Sequence, residues 1–208
     1  MKRTLTQPSP GGRGLLPPLP PGEGRGEGLL RRTLLLLLIA TPALAQSPSK
    51  PNLDALFAAL KAAPSEEAAA AIEAQIKAYW ADQATAAVKL LLTRGGRELS
   101  EHAPNDALDS FDAALDLAPD LLEGWRGRAA ARRVLGDYVG AVKDIGEVLK
   151  REPRSFIAFQ DLSRLSESRG DWKGAYAAWQ KVLEISPRTP GGQDRLRDLR
   201  RRAFGEEL

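Results

Sequence analysis

Apolar residues in this chain recur at helical spacing almost from Pro51 to the end, and nowhere do they alternate in the manner of a half-buried strand. Leu53, Leu56, Phe57 and Leu60 fall on one face of a short helix. Pro64-Ser65-Glu66-Glu67 then supplies a stop and an N-cap for a second helix over Ala68 to Trp80. Beyond these two, the apolar pattern repeats itself. Shifting the chain by 34 residues brings Ala107, Ala141 and Ala175 into register. Phe111, Ile145 and Trp179 follow one helical turn later, and Pro119, Pro153 and Pro187 close each unit. Gly136-Asp137-Tyr138 aligns with Gly170-Asp171-Trp172, and Trp125 with Phe159.

Each of these residues has a physical task. The glycines permit a left-handed residue between two helices, and the aspartate after each caps the next helix. The alanines are small where two helices must approach, the larger residue one turn on fills the adjoining space, and the prolines stop the second helix of each pair. The unit is therefore a helix pair.

The segment from Trp125 to Pro153 and that from Phe159 to Pro187 resemble the tetratricopeptide repeat family. A third copy, over residues 88–121, has a matching second helix, but His102-Ala103-Pro104 stands where the other two have Gly-Asp-aromatic. The resemblance implies an all-α, right-handed superhelical solenoid of antiparallel helix pairs, with about three repeats (88–121, 122–155 and 156–189) and flanking helices. Signal, short helical lead and three repeats together are similar to small exported repeat proteins of α-proteobacteria. Residues 46–87 form the linker and leading helices, and 190–208 a capping helix and tail. In the cap, Leu196, Leu199 and Ala203 share one face and arginines take the rest.

Ahead of the helical body, residues 1–28 are too rich in Pro and Gly to build a core, and the reading start near Leu29 or Leu30 fits the sequence better than Met1. Residues 29–45 combine Arg31 and Arg32, an apolar run from Leu34 to Ala40 and the ending Ala43-Leu44-Ala45, the layout of a signal peptide cleaved after Ala45. The run is too short to span a bilayer. The sequence thus leads us to expect a periplasmic or secreted protein with no membrane insertion after cleavage.

Charge alters this picture little. The formal +3 is concentrated in residues 1–45, which hold six of the 30 basic and two of the 27 acidic residues. The rest is close to balanced, which gives no electrostatic reason to expect nucleic acid. The chain has no cysteine and one histidine, His102, which removes thiolate and His-pair metal sites and most nucleophilic triads. No cofactor is expected, and no catalytic constellation converges.

In the family the first helix of each pair lines the concave surface. Carried over, the inward positions are Lys89, Leu92, Gly96 and Leu99, then Glu123, Arg126, Ala130 and Arg133, then Ile157, Gln160, Arg164 and Glu167. Arg126, Arg133, Gln160 and Arg164 form the candidate partner-binding set, because guanidinium groups match the two oxygens of a carboxylate. The plainer reading pairs these arginines with Glu123 and Asp161 as a solvated face. The expected partner is a protein or peptide, an acidic one on the first reading. A cell-wall glycan module and a structural subunit of an envelope complex are the alternatives, and oligomeric state is left open.

Overall fold

The computed structural model describes residues 52–205, which lie within one compact unit, and all of its regular structure is helical. The expected leader and signal segment lie outside the described residues. Nine helices follow in order among those described: α1 Leu53–Lys61, α2 Glu66–Ala81, α3 Ala86–Ser100, α4 Pro104–Leu117, α5 Leu122–Val134, α6 Tyr138–Arg151, α7 Phe156–Ser168, α8 Trp172–Ile185 and α9 Gly192–Phe204. Helices α3/α4, α5/α6 and α7/α8 are antiparallel pairs, each packed on the next, and α9 closes the stack against α8.

The repeat signature acts as its chemistry dictates. Ala107, Ala141 and Ala175 are completely buried at the helix crossings, with Phe111, Ile145 and Trp179 beside them in the core. Asp137 and Asp171 accept hydrogen bonds from the backbone N–H of Gly140 and Gly174, at 2.8 and 2.9 Å, and so cap α6 and α8. The preceding Gly136 and Gly170 sit at φ 80° and 74°. In the first repeat His102 takes that left-handed place at φ 61°, and α4 starts from Ala103 with no side-chain cap, relying on Pro104 in its first turn. The turn of the degenerate repeat therefore keeps the backbone path of the other two with different residues.

The two leading helices do not add a layer in front of α3. They fold back over the second and third repeats, and α3 itself packs chiefly on α4 and α5. Helix α2, with 16 residues about 24 Å long, runs along the edge formed by the loops between repeats. Its contacts follow those loops in reverse chain order. Glu66 accepts from the Gly191 N–H, Glu73 from Ser186 Oγ (2.9 Å) and Thr189 Oγ1 (2.7 Å), and Trp80 packs on Phe156 with ring centroids 6.0 Å apart. Helix α1 lies over this strap: Phe57 meets Trp80, and Arg154 both pairs with Asp54 and covers the Phe57 ring. One continuous cluster joins Leu60, Ile76 and Trp80 to Val148, Phe156, Leu165, Val182 and Leu199. Burial of this apolar surface is the dominant favourable term in holding the strap to the stack.

Within the second pair, Asp144 is 1% exposed and accepts hydrogen bonds from three nitrogen atoms of α5. Arg128 binds it through Nε and Nη2 (3.1 and 2.8 Å) and Arg132 through Nη1 (2.8 Å), while Arg128 Nη1 also reaches Asp112 on α4 at 2.7 Å. This network ties α4, α5 and α6 together with every buried carboxylate oxygen of Asp144 satisfied.

Candidate functional site

The face left uncovered by the strap carries two adjoining cavities. One, of about 310 Å³, is lined by Leu92 of α3, Phe111 of α4, Glu123, Arg126, Gly127 and Ala130 of α5, and Asp161 of α7. The other, of about 100 Å³, lies further along α5 between Arg126, Ala129, Ala130 and Arg133 and the α7 residues Asp161, Arg164 and Leu165, with Ile145 behind. Arg126, Ala130 and Asp161 belong to both, so the cavities form one groove across the first helices of successive repeats.

Glycine shapes the floor of the larger cavity. A Cβ on Gly127 would stand 2.2 Å from the Phe111 ring, and one on Gly95 would stand 2.9 Å from its other side. The ring is therefore clamped between α3 and α5 at a closeness that any side chain would forbid. The pair Gly95-Gly96, unusual inside a helix, has its reason at Gly95, whereas Gly96 faces open space.

Three of the four candidate residues line the groove. Arg126 and Arg164 converge on Asp161, with Arg126 Nε 2.8 Å from Oδ2 and Arg164 Nη1 2.9 Å from Oδ1. The carboxylate thus neutralises much of the positive charge that the arginines bring. Arg133 lines the far end, and its hydrogen-bond partner is the Ser168 hydroxyl at 3.5 Å, a long and weak contact. Gln160 is half-buried on α7 and lines neither cavity; the next residue, Asp161, occupies the groove in its stead. Because Arg126 reaches sideways to the neighbouring helix, its partner lies 35 residues on, one off the repeat spacing that selects Gln160.

The remaining inward candidates divide. Leu92, Glu123 and Ala130 line the groove, Ile157 is buried in the core, Lys89 is exposed beside Asp82, and Glu167 is held by Arg195 of the capping helix. Glu123 is the least expected. Its Oε2 is buried without a hydrogen-bond partner, the one such side-chain atom among the described residues. Burial pushes its carboxyl above the ordinary carboxylate range, against the smaller opposing pull of its own backbone N–H and of Arg126. An unsatisfied buried acceptor costs about 1–3 kcal/mol. The plainer sequence reading pairs the arginines with Glu123 and Asp161; Asp161 does hold Arg126 and Arg164, and Glu123 has no ion pair among the described residues.

Among the described residues no group of His, Cys, Asp and Glu is arranged to hold a metal ion, and no helix is long and apolar enough to cross a membrane. Trp179 is buried with its indole N–H on the Gly192 carbonyl (2.9 Å), and Trp172 is half-buried beneath Arg202. Trp125 is flanked by the guanidinium groups of Arg128 and Arg151.

Stacked helix pairs around a groove define an α-solenoid of the interaction-scaffold type. No family model matches the chain. A TPR repeat-containing protein of Rhizobium etli is 32% identical over 161 residues, spanning 77% of this chain and 79% of that protein. With that relative and the three helix pairs in hand, the chain belongs to the tetratricopeptide repeat family. The small glutamine-rich tetratricopeptide repeat-containing protein 2 of Mycosarcoma maydis is 28% identical over 97 residues, which are 47% of this chain but only 28% of that longer protein. Among solved structures, the Sgt2 TPR domain of Aspergillus fumigatus superposes with a TM-score of 0.51 at 24% identity, covering 56% of this chain and 79% of that one. The first TPR domain of human RPAP3 gives 0.51 at 17% identity, covering 56% and 91%. These likenesses establish the fold.

Proposed function

We propose that this protein is an exported, non-catalytic scaffold that holds an extended peptide segment of a partner protein in the groove between α3, α5 and α7. The observation that carries this reading is the continuity of the two cavities through Arg126, Ala130 and Asp161, on the helices that successive repeats present to the same side. The α1–α2 strap packs on the inter-repeat edge and leaves that side clear. Polar groups in the groove, set among Leu92, Phe111 and Ala130, combine the orienting contacts and the apolar walls that a peptide site needs. Export rests on the signal-peptide layout of residues 29–45, and the balanced charge of the body argues for protein over nucleic acid.

The test is selection of a random peptide library by the full chain beside Ala130→Trp, which places an indole where the two cavities join. Peptides retained by the unaltered chain and lost from Ala130→Trp, at equal helix content by circular dichroism, support the groove. Equal retention by both moves binding elsewhere on the molecule. Retention of cell-wall sacculi in place of peptides, again lost from Ala130→Trp, replaces the peptide with a glycan.

A further inference from the structure

We propose that the groove reads polarity: it takes an extended peptide that places a lysine ammonium against Glu123 and, four or five residues along, a carboxylate against Arg133. This rests on the groove being the peptide site, and it replaces the acidic peptide suggested by the arginines alone.

Three observations carry it. First, Glu123 lines the cavity of about 310 Å³, its Oε2 is shut in without a partner, and among the described residues its carboxylate makes no ion pair. The neighbouring arginines are engaged elsewhere. Arg126, one turn along α5, gives its Nε to Asp161 at 2.8 Å, and Arg164 joins the same carboxylate from α7. A cationic ligand in the cavity therefore meets, through the accessible oxygen Oε1, a carboxylate that no side chain among the described residues pairs.

Second, the walls of that cavity include Leu92, Phe111, Gly127 and Ala130, which offer apolar surface and no second acceptor beyond Asp161. A four-carbon stem ending in a compact ammonium fits such a passage, since lysine lays its methylenes on apolar surface and delivers a single charged head. A guanidinium fork calls for two reachable oxygens, and Oε2 is shut in. Burial raising the Glu123 carboxyl toward protonation agrees with a site whose counter-cation arrives with the ligand.

Third, the opposite end of the groove has the opposite need. Among the described residues the Arg133 guanidinium makes one long hydrogen bond, to the Ser168 hydroxyl at 3.5 Å, and no ion pair, whereas the other two groove arginines share Asp161. Glu123 and Arg133 are ten residues apart on α5, about 15 Å along the axis, the reach of four or five extended residues. In the middle, Arg126 and Arg164 share the single Asp161 carboxylate and are engaged there, so the groove's unengaged charges lie at its two ends.

The experiment is a positional-scanning library of octapeptides, acetylated and amidated so that chain ends contribute no charge, presented to the full chain and to Glu123→Gln, Arg133→Ala and Ala130→Trp. Lysine should be enriched at one position and Asp or Glu four or five positions on, each by about tenfold, the scale of one charge-assisted hydrogen bond. Glu123→Gln, nearly isosteric, should lose the lysine preference and keep the acidic one; Arg133→Ala should do the reverse. The proposal is overturned if Glu123→Gln still selects lysine, or if the unaltered chain selects acids at both ends. If those preferences persist in Ala130→Trp, or if the unaltered chain selects nothing, the peptide-groove reading itself falls and takes the polarity with it. Loss in Ala130→Trp with no effect of the two charge variants removes the polarity alone.

Discussion

Two glutamates, one on the strap and one on the groove, each hold a buried carboxylate oxygen and meet different fates. Glu73, on the strap edge, is 5% exposed and has hydroxyl donors from Ser186 and Thr189, which bind α2 to the loop after the third repeat. Glu123, on the groove face, has a buried oxygen and nothing to fill it. The first arrangement is what a stable interior demands, because desolvating a polar group is offset only when its hydrogen bonds are remade. The second leaves a local deficit, and such deficits gather where a ligand completes the structure. The contrast separates the face that holds the molecule together from the face proposed to bind.

The largest effect should come from the satisfied side. Asp144→Ala strands the charges of Arg128 and Arg132 within the second pair and should lower stability by about 3–5 kcal/mol in urea denaturation. Next, Glu73→Ala leaves two buried hydroxyls unpaired and should cost about 2–3 kcal/mol, with faster proteolysis between α1 and α3 and little change in peptide binding.

Glu123→Gln should differ in sign. The folded state holds the Glu123 proton more tightly than the unfolded chain does, so this group favours folding at acid pH, and its contribution falls as pH rises from about 4.5 through its elevated native value. Unfolding curves at pH 4 and pH 7 should therefore show less loss between them for the glutamine variant than for the unaltered chain. A matching loss in both would place the Glu123 carboxylate in a solvated setting. The smallest expected change is His102→Gly, which relieves a left-handed residue of its Cβ and should add up to about 1 kcal/mol, opposed by the greater freedom of glycine in the unfolded chain. His102→Val at the same position should cost stability in the same assay.

The solenoid was legible because its constraints are local and periodic. Buried alanine at each crossing, glycine and aspartate at two turns and proline after each pair recur at one spacing, and the structure puts Ala107, Ala141 and Ala175 at zero exposure. The place of the strap, over the second and third repeats, was not legible. Glu73 sits in an alanine-rich helix that reads as a solvated surface, and its partners lie 113 and 116 residues away along the chain. Nothing in a helical period reports such a long-range pairing. The groove was legible in part: Arg126, Arg133 and Arg164 line it as the register required, but Asp161 displaced Gln160 because a long guanidinium crosses to the neighbouring helix off register. The left-handed His102 lay between these cases, since a turn was required there but the residue that usually makes it was missing.

The separation of a binding face from a holding face is tested most directly by amide hydrogen exchange on the full chain, with and without a peptide selected from the library. Slowed exchange in α5 and α7, on the turns that carry Arg126, Ala130 and Arg164, with α1 and α2 unchanged, is the expected result. Protection confined to α1 and α2, or to the exposed Val139 and Val142 of α6, would contradict it.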